Sequence, residues 1–150
     1  MKKSILVTLS LSLGLFGGLS SIGYTANASS THKGLPHVLR NTKWKAKSHY
    51  IKVRDDYEAS EIHFHKTSVS EEWAAGVDPF SASKLRYRYA GHHTYKIYGR
   101  QYGNEPAGGA PWSSEVKVYN KHKIYYKDFT YTASLHAYAN KYINSFYYRK

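Results

Sequence analysis

Beyond Leu35 apolar and polar residues alternate with a period of two, in short runs separated by turn residues. That period belongs to strands with one face buried. Glu61-Ile62-His63-Phe64-His65 alternates cleanly. Lys84-Leu85-Arg86-Tyr87-Arg88-Tyr89 and Thr94-Tyr95-Lys96-Ile97-Tyr98-Gly99-Arg100, joined through Ala90-Gly91-His92-His93, predict a hairpin about a glycine-bearing turn. Glu115-Val116-Lys117-Val118-Tyr119 and Lys123-Ile124-Tyr125-Tyr126-Lys127, joined through Asn120-Lys121-His122, predict a second. Further strands are expected over residues 42–47, 49–53, 69–74, 130–138 and 145–149. The stretch Ala133 to Tyr142 also suits one short C-terminal helix, with Leu135, Tyr138, Ala139 and Tyr142 on one side. Asp55-Asp56 reads as a turn, and residues 75–79 and 103–111 concentrate the Gly and Pro that break strands.

An open sheet of so many strands would leave long edges that aggregate. The expected fold class is therefore all-β, a small antiparallel β-barrel of about eight strands. Placing the aliphatic residues inward puts Leu85, Tyr87, Tyr89, Tyr95, Ile97, Val116, Val118, Ile124 and Tyr126 inside.

The first 28 residues have a different texture. Met1-Lys2-Lys3 is a basic start, Ile5 to Leu19 an apolar run, and Ala26-Asn27-Ala28 the small-x-small pattern at which signal peptidase cuts. The run is shorter than a membrane span and is broken by Gly14, Gly17 and Gly18. The expected organisation is a signal peptide over residues 1–28, a disordered Ser- and Thr-rich lead over 29–34, and one barrel domain over 35–150. No second apolar run follows, so no transmembrane anchor is expected after cleavage, and the protein is expected to be secreted, with the cell wall as a place of association.

Leu35-Pro36, then Leu39-Arg40-Asn41-Thr42-Lys43-Trp44, and the ending Phe146-Tyr147-Tyr148-Arg149-Lys150 carry a resemblance. The chain resembles small secreted, Lys- and Tyr-rich proteins of lactic acid bacteria that open on Leu-Pro … Leu-Arg-Gly-Thr-Trp. The resemblance implies a lipocalin-like β-barrel and brings no catalytic residues. This chain has Asn41 where that pattern has Gly, and an extra residue, Lys43, before Trp44.

Charge changes the picture of the outer surface. Among 150 residues are 22 Lys and Arg against 10 acids, a net charge of +12, together with 16 Tyr and no Cys. The missing cysteines exclude disulfide scaffolds, Cys-ligated zinc and thiol nucleophiles. Loss of Lys2 and Lys3 with the leader leaves a net charge of +10. On the alternation above, the outer face carries Arg86, Arg88, Lys96, Tyr98, Arg100, Lys117, Tyr119, Lys123, Tyr125 and Lys127. Cations attract polyanions, and tyrosine rings offer flat surfaces to sugars. Such a face also serves simply to keep a protein in solution. Trp112, beside the Gly- and Pro-rich loop, is read as a ligand-facing aromatic of the same site, whereas Trp44 and Trp73 are read as core.

Candidate chemistry adds little. Glu61, His63 and His65 share one strand face and supply half of a metal site, so no metal is assigned. Nine histidines would raise the charge on acidification and with it the affinity for an anionic surface. Gly-x-Ser-x-Gly, His-Glu-x-x-His and phosphate-cradling glycine loops are all missing. Carboxylates at Asp55, Asp56, Glu58, Glu61, Glu71 and Glu72 show no catalytic spacing. No enzyme, cofactor or nucleic-acid partner is expected. The expected partner is an anionic cell-wall polymer such as a teichoic acid or acidic polysaccharide. The alternatives are a lipocalin-like carrier of a small apolar ligand and a secreted bacteriocin-like effector.

Overall fold

The computed structural model describes residues 30–74, 79–102, 107–129 and 142–150. Within them lie the strands β1 (His32–Lys33), β2 (Thr42–Ala46), β3 (His49–Ile51), β4 (Asp56–Glu58), β5 (Glu61–Phe64), β6 (Val69–Glu72), β7 (Phe80–Tyr89), β8 (Thr94–Tyr102), β9 (Ala110–Asn120), β10 (Lys123–Asp128) and β11 (Ser145–Arg149). Eight of these run in the order β7-β6-β5-β2-β11-β10-β9-β8, and β7 also pairs with β8, so the sheet closes on itself. The chain is thus an all-β protein with a closed, eight-stranded antiparallel barrel. β3 and β4 form a separate hairpin, and β1 adds to β7. The expected strand over 130–138 and the expected helix over 133–142 lie outside the described residues, apart from Tyr142.

Alternation builds the barrel as expected. Trp44, Ala46, Ile62, Phe64, Val69, Leu85, Ile97, Trp112, Val116, Ile124, Tyr126 and Tyr147 point into one buried cluster. Leu35 and Leu39 join that cluster from the turn over His37–Leu39. Three bonds fix the turn: Arg40 Nε donates to the Leu35 carbonyl (2.8 Å), Thr42 Oγ1 to the Leu39 carbonyl (2.5 Å), and Trp44 Nε1 to Thr42 Oγ1 (2.6 Å). Asn41 between them has φ 56°, a left-handed conformation that Asn tolerates better than most side chains.

Four expectations about the interior are corrected. Tyr89 is exposed and Tyr95 only half-buried, while Tyr87 and Val118 are half-buried and pack against the core from its edge. β7, β8 and β9 span 10, 9 and 11 residues, whereas β2, β5 and β6 span 5, 4 and 4. The far end of the β7–β8 hairpin therefore outruns the opposite wall, and its inward tyrosines pack on each other instead, with ring centroids of Tyr89 and Tyr95 5.4 Å apart. The lead, expected to be disordered, is ordered from residue 30, because β7 extends past β6 and offers a free edge. His32 and Lys33 pair there with Tyr87 and Arg86, and the Gly34 amide donates to the Leu85 carbonyl at 2.8 Å.

The register of β7 against β8 shifts between Ser83 and Arg86, and Lys84 in this bulge has φ 53°. Gly99 lies across from it. A Cβ on Gly99 would sit 2.7 Å from Leu85 Cδ2 and 2.8 Å from the Ser83 carbonyl oxygen. Gly99→Ala is accordingly expected to destabilise the barrel by about 1–3 kcal/mol through overpacking. Chemical denaturation of the variant beside the parent measures it.

Candidate functional site

The outer surface of β7 to β11 gathers the predicted cations and phenols. Arg86 stands opposite Tyr98, Arg88 opposite Lys96, Lys96 opposite Glu115, and Lys117 opposite Tyr125. Because every second residue of each strand points outward, these pairings align the side chains in rows across neighbouring strands. Arg86, Arg88, Tyr98, Lys117, Tyr119 and Lys127 are exposed, and Lys96, Arg100, Lys123 and Tyr125 are half-buried.

Four cations of this face rest on aromatic rings. Arg88 lies 5.8 Å from the Tyr98 ring centre, Lys117 5.2 Å from that of Tyr119, and Lys127 5.0 Å from that of Phe129. Lys123 sits between two rings, 4.1 Å from Phe146 and 5.5 Å from Tyr119. Phe146 in turn packs edge-on against Tyr119 and Tyr125. Such contacts hold an ammonium or guanidinium group in place without cancelling its charge. The one ion pair on this face among the described residues is Lys96 with Glu115, at 3.9 Å.

Two predicted members do other work. Arg100 donates from Nε to the Gly108 carbonyl at 2.9 Å and from its guanidinium NH2 to the Gly109 carbonyl, so it ties down the loop before β9. Trp112, expected to face a ligand, is instead 2% exposed inside the barrel. It falls on the inward register of β9 with Ser114 and Val116, and its Nε1 donates to Asp128 Oδ2 at 3.2 Å. Proximity to a glycine-rich loop says where a strand begins, not which way its third residue points.

Phe129, Phe146 and Tyr148 were not anticipated on this surface. The period of Ser145-Phe146-Tyr147-Tyr148-Arg149 does separate Phe146 and Tyr148 from the fully buried Tyr147, but three consecutive aromatics hide it. A second unanticipated group lies inside. Glu71 is fully buried and accepts from Trp73 Nε1 at 2.7 Å and from the Tyr126 hydroxyl. Burial pushes its carboxyl well above the usual range, and the neighbouring Asp128 pushes it further. This interior set is closed off from solvent by the β-barrel core around it.

Glu61, His63 and His65 share the outer face of β5, with the two imidazole centres 3.6 Å apart. Glu61 is held by Lys150, 2.7 Å away, and by Lys45 at 2.8 Å. Partial burial alone would raise its pKa, but these hydrogen bonds outweigh that and lower it. Burial, His65 and Lys43 lower the pKa of His63. Among the described residues no three His, Asp or Glu side chains stand together as metal ligands. Set against known proteins, the chain matches no family model, no curated protein and no solved structure.

Proposed function

We propose that this is an exported, non-enzymatic protein that associates with an anionic cell-envelope polymer, a teichoic acid or acidic polysaccharide, through the outer face of β7 to β10. Cleavage after Ala28 would separate the barrel from its leader. Arg86, Arg88, Lys117, Lys123 and Lys127 supply the attraction, while Tyr98, Tyr119 and Tyr125 offer ring faces to sugar units. The observation that carries the reading is that four of these cations, Arg88, Lys117, Lys123 and Lys127, are seated on aromatic rings rather than on carboxylates. A face built only for solubility is served as well by interspersed charges of both signs. The described barrel interior, filled by Trp44, Trp112, Phe64, Tyr126 and Tyr147, favours an outside site over an enclosed one.

Retention on isolated Gram-positive walls, with and without teichoic acid and at low and high salt, tests this. Exposed charges are screened over about 10 Å at 0.1 M salt and about 3 Å at 1 M, so retention is expected to collapse at high salt. Each cation near an anionic surface contributes about 1 kcal/mol, roughly fivefold in affinity. Lys117→Ala combined with Lys123→Ala is therefore expected to weaken low-salt retention more than tenfold while the melting temperature stays close to that of the parent. Retention indifferent both to salt and to these substitutions would reduce the face to a solubility device.

A further inference from the structure

β7 is too long for one partner on its outer side. β6 pairs with it only over Phe80 to Ala82, and β1 only over Arg86 and Tyr87. Between the two stretches lies an open groove of about 760 Å³, lined by Thr31, His32, Lys33, Gly34, Lys84, Leu85 and Arg86, and by Thr67 from the turn before β6. Its charged lining is wholly basic. Lys33, Lys84 and Arg86 all border it, no Asp or Glu does, and among the described residues none of the three has a carboxylate partner.

The backbone at the groove is unusual in the same place. Lys84 holds a left-handed conformation that a lysine adopts only against its steric preference. Bulges of this kind re-aim a side chain. Glycine would form the same bulge without strain, so the fold alone does not call for a lysine there. Lys84 borders the groove while its ammonium lies 5.8 Å from the Tyr102 ring centre, seated on a ring with its charge uncancelled, and a strained cation so placed points to a ligand that repays it.

We infer that the groove along β7 between β1 and β6 is a second anion site, one that takes a single phosphate group carried on a sugar or polyol. Three cations around one opening suit a phosphate group, which keeps one negative charge as a diester within a polymer and carries up to two as a monoester. Arg86 brings the planar fork that binds phosphate oxygens in pairs, and Lys33 and Lys84 act as point charges beside it. The volume falls in the range of small-ligand sites and leaves room for the sugar or polyol. The site shares only Arg86 with the polymer-binding face, and it deepens that reading by giving the protein a position at which one phosphorylated unit is held.

Titration calorimetry of the purified protein with glycerol 3-phosphate, with glycerol as control, tests the site. The phosphate compound is expected to bind and glycerol not to. Lys84→Gly removes the charge while relieving the backbone, so the variant is expected to be at least as stable as the parent and yet to bind about tenfold more weakly. Lys33→Ala is expected to weaken binding by a similar factor. The Lys117→Ala, Lys123→Ala pair is expected to leave it unchanged. Absence of binding by the parent, or equal affinity in the Lys84→Gly variant, overturns the inference. If glycerol 3-phosphate binds in the groove but walls do not retain the protein, the polymer reading fails and the groove stands. Saturating glycerol 3-phosphate that also lowers retention on walls identifies the occupant as a unit of the polymer; unaltered retention identifies it as a free phosphorylated solute.

Discussion

Trp112→Ala is expected to remove a large share of the stability of the folded protein. Truncating a buried tryptophan costs about 3–5 kcal/mol, against total stabilities of about 5–15 kcal/mol for a domain. Here the loss compounds, because the indole fills the barrel beside Gly99, and its removal also leaves Asp128 without the Nε1 donor. Trp112→Phe keeps most of the volume and loses only the hydrogen bond, so it is expected to be destabilised by about 1–3 kcal/mol and to fold. Denaturant unfolding of both variants separates them. A Trp112→Ala variant as stable as the parent that binds walls poorly would return Trp112 to the surface, contrary to its 2% exposure.

The second large effect concerns acidity. The Glu71 carboxyl is raised above its ordinary 4.5, first by complete burial and then by Asp128, with no cation beside it in the hydrogen-bonded group of Trp73 and Tyr126. The fold therefore favours the neutral carboxyl. In the unfolded chain Glu71 ionises near pH 4.5, so its contribution to stability is complete below that pH. The contribution declines as pH rises towards the folded pKa, at a slope of up to about 1.4 kcal/mol per pH unit for this one group. The Tyr126 hydroxyl, itself pushed well above 10 by burial and by Glu71, stays protonated throughout. Glu71→Gln keeps the shape and the neutral state, and its amide can donate to Tyr126 while its carbonyl accepts from Trp73. The variant is expected to match the parent in acid and to exceed it at neutral and higher pH. Urea unfolding at a series of pH values tests this. Parallel profiles for parent and variant would show that Glu71 is ionised in the fold.

Both residues were in principle readable. Val69, Glu71 and Trp73 lie at every second position, as do Ile124, Tyr126 and Asp128, and in each triplet the carboxyl follows the inward register of its apolar neighbours. Alternation alone places Glu71 and Asp128 inside. What obscures them is the general rule that carboxylates stay in water, which holds only until tyrosine and tryptophan donors are there to receive them. The barrel itself, its two long hairpins and the outward set on β7 to β10 followed directly from periodicity. Trp112 was misplaced because its neighbours Pro111 and Gly109 drew attention to the loop, whereas its direction is set by pairing with Gly99. The groove beside β1 was out of reach for a different reason. It exists because two strands far apart in the chain leave a gap along a third, and neither the gap nor the bulge at Lys84 has any local signature.

The position of β11 bears on when the molecule can fold. β11 lies between β2 and β10, with Tyr147 opposite Ala46 and also opposite Ile124. The ring is therefore shut by a strand made about a hundred residues after its neighbour β2. Until residues 145–149 have been synthesised, β2 and β10 have no common partner and the ring cannot close. Contacts this distant in sequence also close slowly. On the proposal that the chain is exported, that arrangement would delay closure of the barrel until β11 pairs with both neighbours.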